Sequence, residues 1–177
     1  ADRSFERVSM FTRVVFVSAL LLTLAGCNRN PLEVTVSRCF GVAVVGDLGT
    51  LVKFQGEGRT TDDVTYTASI MDISSSCTEA GDVRAQTTFT IGVQSGPAFM
   101  DRDVNVEYFV AVVKDNSQIV SKRVYDVTLR FDEFGNAQSK EVISQYIPTI
   151  EQARRYNYEL LVGFQMEAED AVFNMVR

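Results

Sequence analysis

Beyond residue 60, apolar and polar residues alternate with a period of two along most of the chain, the spacing that buries one face of a strand and wets the other. Val64, Tyr66, Ala68 and Ile70 alternate with Thr65, Thr67 and Ser69. Val83, Ala85, Thr87, Phe89, Ile91 and Val93 alternate with Arg84, Gln86, Thr88 and Thr90. Both stretches read as half-buried strands. Val104, Val106, Tyr108, Val110 and Val112 repeat the pattern, but Phe109, Ala111 and Val113 make the other face apolar too, which predicts a central strand. A polar turn, Lys114-Asp115-Asn116-Ser117, leads into residues 118–131, where Tyr125, Val127, Leu129 and Phe131 share one face, so the two form a hairpin. Segments 42–45, 140–147 and 158–166 complete the set. The predicted fold is all-β, a two-sheet antiparallel sandwich of about seven strands over residues 38–166, with a small barrel as the alternative. In the tail, 167–177, Ala168, Ala171, Val172 and Met175 have helical spacing, which predicts a short C-terminal helix, read as a frayed end rather than a docking peptide.

The N-terminal part follows a different pattern. Met10 and Arg13 precede an apolar run over 14–25 and then small residues, the arrangement of a secretory signal peptide. The run falls short of the roughly 20 residues that cross a bilayer. Leu24-Ala25-Gly26-Cys27 resembles the bacterial lipobox. That resemblance implies diacylglyceryl transfer to the Cys27 thiol, cleavage before it and acylation of the new amino group. Two or more acyl chains, at about 0.8 kcal/mol per buried methylene, hold a protein stably on a membrane. An ordinary signal peptide with a chance cysteine is the alternative. On this reading residues 1–26 are leader, starting at Met10, with 1–9 given no fold, and 27–37 are a lipidated tether. In the lipoproteins that this motif resembles, an Asp after the cysteine implies inner-membrane retention; here Asn28 follows it, so the expected location is the bacterial cell envelope, on the outer membrane facing the periplasm. Ten residues, 28–37, span at most roughly 35 Å, which keeps the domain close to its bilayer.

The chain has three cysteines, and lipidation of Cys27 leaves Cys39 and Cys77 as a pair in an oxidising compartment. A disulfide is expected, with two buried thiols as the alternative; a redox pair would want a Cys-x-x-Cys spacing at a helix start. The loop of about 38 residues would contribute roughly 4 kcal/mol in the chain-entropy model. Tyr156 and Tyr158, at the start of the last strand, resemble the tyrosine corner of immunoglobulin- and fibronectin type III-like domains. The chain has no Trp, so the buried Trp of such domains is missing.

Candidate chemistry is sparse. The absence of histidine removes the commonest general base and metal ligand. A net charge of −6 disfavours nucleic acid. Gly46 and Gly49 follow a short strand but lack the spacing of a phosphate-binding turn. Asp101, Asp103, Asn105 and Glu107 mimic the first half of a calcium loop, yet Val106 stands where Gly is required, so they read as solvated residues at a strand start. Ser74, Ser75 and Ser76 have no base suggested by spacing and read as a loop; Asp62-Asp63 and Asp132-Glu133 read as turn residues. No catalytic, cofactor or metal site is assigned. The expected function is that of a non-catalytic accessory or structural subunit, anchored through Cys27 and contacting another envelope protein. The alternative is a periplasmic binding module for a small apolar or peptide ligand. Periodicity alone does not tell which strand faces stay exposed for a partner. Replacing Cys27 with Ser is expected to abolish incorporation of labelled palmitate and to leave the precursor uncleaved, measured by metabolic labelling and gel mobility in a bacterial host.

Overall fold

Eight strands form two four-stranded sheets in the computed structural model, which describes residues 39–176. In chain order they are β1 (Gly41–Val44), β2 (Thr50–Phe54), β3 (Val64–Glu79), β4 (Val83–Ser95), β5 (Asp103–Lys114), β6 (Gln118–Arg130), β7 (Asn136–Ile147) and β8 (Tyr158–Phe164). Helix α1 (Ile150–Arg155) joins the last two strands and α2 (Ala168–Met175) follows β8. One sheet has the order β1-β8-β5-β6, the other β2-β3-β4-β7.

The sandwich is the expected architecture, with differences that have local causes. One sheet is mixed, because β1 runs parallel to β8, with Val42 beside Leu160 and Val44 beside Val162. Strand β2 is an eighth strand; it starts directly after a 3-10 turn at Gly46–Leu48 and is too short to show periodicity. The strand order also differs from the A-B-E-D and C-F-G sheets of constant-type immunoglobulin domains, since β2, β3 and β4 form a simple meander.

Ser74, Ser75 and Ser76 lie within β3, not in a loop. The cause is a bulge: Met71 pairs with Thr90 and Ser74 with Thr88, with Asp72 at φ 53° between them. An extra residue shifts the inward phase from even to odd numbers, so Ala68 and Cys77 both face the core while the simple alternation ends at Ile70. The hairpin between β5 and β6 forms where it was expected. Asp115 and Asn116 have consecutive positive φ values, 52° and 55°, the pattern of a type I′ turn, and Ser117 N–H donates to the Lys114 carbonyl at 3.3 Å.

The core lies between the sheets. Phe89 and Ile91 of β4 meet Val106, Tyr108 and Val110 of β5 and Leu160, Val162 and Phe164 of β8, all buried. Phe89 packs edge-on against the Tyr108 ring, centroids 5.4 Å apart at 84°. Cys39 and Cys77 form a disulfide with Cα atoms 5.9 Å apart, tying the segment before β1 to the end of β3 in the other sheet. Replacing Phe89 with Ala is expected to cost about 4 kcal/mol in urea unfolding, since the cavity would sit between two close-packed sheets.

Candidate interaction surface

The two long sides of the sandwich are built differently. On one side the outermost strands are β1 and β2, four and five residues long. Helix α2 docks there, so the C-terminus is held rather than frayed. Lys53 Nζ meets the Asp170 carboxylate at 3.0 Å, and the Asn174 amide donates to the carbonyls of Asp47 and Thr50 at 2.9 and 2.6 Å. Phe173 packs edge-on against Phe54 at 5.0 Å. Asp170 is one of two acids in the first turn of α2, with Glu169, where the helix dipole also favours negative charge. The tail periodicity showed the helix, but its dock depends on Lys53 and two backbone carbonyls more than a hundred residues earlier.

On the other side the outermost strands are β6 and β7, thirteen and twelve residues long. Among the described residues neither has a strand paired to its outer edge. Strand β6 is exposed along nearly its whole length, and it carries apolar residues there: Ile119 is 64% exposed, Val120 46% and Val124 48%. On β7, Val142 and Tyr146 are exposed as well. The register of β6 on β5 sets its faces. Ser121, Arg123, Tyr125, Val127 and Leu129 oppose the core-facing Val112, Val110, Tyr108, Val106 and Val104, whereas Lys122, Val124 and Asp126 oppose Ala111, Phe109 and Glu107 on the outer face.

A polar network pins this side together. Tyr125 stacks on Tyr108 with centroids 5.2 Å apart and planes 17° apart. Tyr108 Oη donates to Glu141 of β7 at 2.9 Å, and Ser139 Oγ donates to the other carboxylate oxygen at 2.6 Å. The contacts thus run from β6 through β5 to β7, across both sheets. Between them opens a cleft of about 290 Å³, floored by Val110 and Val112 and rimmed by Arg123, Tyr125 and Gln145.

The remaining sequence candidates resolve into structural roles. Asp103 pairs with Arg130 across the strands at 2.8 Å, and Asn105 accepts from Thr128 Oγ1 at 3.4 Å, so these two form cross-strand pairs between β5 and β6, whereas Glu107 lies opposite Asp126. Asp63 accepts from the Thr60 backbone and hydroxyl, a reciprocal cap on a 3-10 turn, and these hydrogen bonds hold its pKa below the usual carboxylate value. Asp132 accepts from the backbone N–H groups of Phe134 and Asn136 in the turn before β7. Ser74 is hydrogen-bonded to Thr88 on the neighbouring strand. The carboxylate of Glu79 lies near the two disulfide sulfurs, which have no thiolate to offer a metal. Cys27 lies outside the described residues. Comparison with protein-family models, curated proteins and solved structures finds no match to this chain.

The Tyr108 hydroxyl is held well above its ordinary pKa, first by burial and then by its hydrogen bond to Glu141. The fold therefore favours the neutral phenol; its contribution is complete below pH 10.0 and is lost as the pH rises towards the folded value. In an alkaline titration followed by tyrosinate absorbance, Tyr108→Phe is expected to remove the last tyrosine to ionise. Glu141→Gln is expected to bring that last step to lower pH, though burial still keeps it above an exposed tyrosine.

Proposed function

We propose that this chain is a lipid-anchored envelope protein, tethered through Cys27 on the periplasmic face of the outer membrane, and that it serves as a non-catalytic accessory subunit by pairing along its β6 edge. The observation that carries this reading is the contrast between the two sides of the sandwich. Sheet edges are templates for further strands, and folded proteins blunt them with short strands, charges, bulges or covering elements. The β1 and β2 side follows that rule, with short strands and α2 packed over β2. Strand β6 carries Lys122, Arg123 and a register shift beside Ile119, but it departs from the rule in its thirteen-residue length, its uncovered edge and its exposed Ile119, Val120 and Val124. A strand of this kind recognises another chain by main-chain hydrogen bonds, with alternate side chains adding selectivity.

The tether supports the same reading. A domain held within roughly 35 Å of its bilayer meets mostly proteins that share the membrane, so a modest edge contact gains from high local concentration. The Tyr125, Tyr108 and Glu141 network keeps β6 fixed before any partner arrives, which lowers the ordering cost of pairing.

The paired variant Val120→Lys with Val124→Lys tests this function. Both positions are exposed, so unfolding stability is expected to change by less than about 1 kcal/mol. Cross-linking in intact cells, followed by detergent extraction and a native gel, is expected to show a complex for the natural chain that the double variant reduces at least ten-fold. An unchanged complex would locate the contact elsewhere and remove the β6 edge from the proposal.

A further inference from the structure

We infer that the strand received by the β6 edge is β6 of a second copy, paired antiparallel about Val124; this rests on the edge-pairing reading above and names its partner. Two sheets joined edge to edge by a two-fold axis perpendicular to them keep their faces, so the residues that oppose one another sum to a constant even number. Strand β6 runs from Gln118 to Arg130, and its midpoint is Val124. An axis at Val124 therefore overlaps the strand with itself over its whole length.

Charge selects the same axis. With Val124 as its own image, Lys122 of one copy faces Asp126 of the other on the outer face, and Arg123 faces Tyr125 on the inner face. Opposite charges across antiparallel strands stabilise and like charges directly opposite destabilise, by roughly 0.2–1 kcal/mol per pair. Moving the axis one residue towards the N-terminus sets Arg123 against Arg123. Moving it one residue towards the C-terminus sets Lys122 against Thr128 and Asp126 against Val124, so neither charge has an opposite. The axis at Val124 gives Lys122 and Asp126 opposite charges to face and sets Arg123 against the Tyr125 ring.

Arg123 and Asp126 are disposed to make these pairs, while Lys122, which donates to Gln165 Oε1 at 3.1 Å and lies over the Phe109 ring at 4.5 Å, would turn from those contacts to meet Asp126 of the second copy. Among the described residues Arg123 and Asp126 form no ion pair, whereas Arg130 is already held by Asp103. Tyr125 is fixed by stacking on Tyr108, which holds a ring at the edge for the guanidinium of the second copy. The β5 register is regular from Ser121 to Arg130, its one shift lying towards the turn, where Val112 pairs with Ser121 and Val113 with Ile119. The stretch Ser121 to Val127 can therefore pair residue for residue about Val124. The result is a continuous eight-stranded sheet in a closed dimer. Both β6 edges are consumed, and the outer edges left on the joined sheet are those of the short β1 strands, so that sheet does not propagate into a fibre.

The test uses the full lipidated chain in its membrane. In one strand Lys122 and Asp126 are about 13 Å apart, so a zero-length carbodiimide link between them requires two copies. Mass spectrometry of the natural chain is expected to find that link. Val124→Cys is expected to give a disulfide-linked dimer on mild oxidation, whereas Val142→Cys, on the exposed face of β7, is not. Lys122→Asp in the Val124→Cys background is expected to cut dimer yield at least ten-fold, and adding Asp126→Lys to restore it by exchanging the charges. A folded Val124→Cys chain that links only to a different protein would overturn self-pairing and leave the edge-pairing reading standing. A folded Val124→Cys chain that links to nothing would overturn both, as judged by retained protease resistance. Failure of the charge exchange to restore the dimer would overturn the register.

Discussion

The contact between Phe89 and Tyr108 fixes most of what surrounds it. These rings belong to β4 and β5, interior strands of opposite sheets, and they meet edge to face at the centre of the sandwich. A slip of one residue in β5 would exchange Val104, Val106, Tyr108, Val110 and Val112 for Asn105, Glu107, Phe109, Ala111 and Val113. Two polar groups would then enter the core, so burial strongly specifies the register. With β5 fixed, β6 and β8 are fixed on either side of it, and so are the face and the position of every residue on the β6 edge.

From that centre the two sides diverge. Towards β1 and β2 the chain uses short strands, a 3-10 turn and the C-terminal helix, with Asp170 buried and paired to Lys53. Burying a carboxylate is costly unless it is paired and hydrogen-bonded, and Lys53 meets both needs. Towards β6 and β7 the inner-face contacts are polar instead. Tyr108 reaches the Glu141 carboxylate across the gap between sheets, and Tyr125 stacks behind it. That choice leaves the β6 edge uncovered while holding its strand in place.

Much of the fold was legible because its signals are local. Strands β4 and β5, the second half of β6, the polar turn before it and the pairing of Cys39 with Cys77 follow from period-two burial, turn chemistry and the oxidising compartment that the lipobox-like motif at Cys27 would imply. What failed to show depends on a single residue or on distant partners. Asp72 shifts the phase of β3 and hides half of a sixteen-residue strand. The parallel pairing of β1 with β8 joins segments more than a hundred residues apart, and no local pattern encodes it. The β6 edge was half legible: residues 118–124 mix Ile119, Val120 and Val124 with Lys122 and Arg123 and obey no burial pattern. A strand that obeys none because both its faces are wet is an edge strand, but that reading needs the neighbouring strands to be placed first.

The distribution of charge carries the argument one step further. Asp63 caps a turn, Asp132 closes another, Asp103 holds Arg130, Glu141 holds Tyr108 and Asp170 holds Lys53. Each of these carboxylates is engaged in forming the fold. Among the described residues Asp126 and Arg123 are not engaged in this way, and they lie three residues apart on the uncovered β6 edge. Carboxylate and guanidinium three residues apart on one strand point to opposite faces and lie too far apart to satisfy each other. Their complements are groups presented by another strand, and the proposed two-fold axis at Val124 would bring Lys122 to Asp126 and the Tyr125 ring to Arg123.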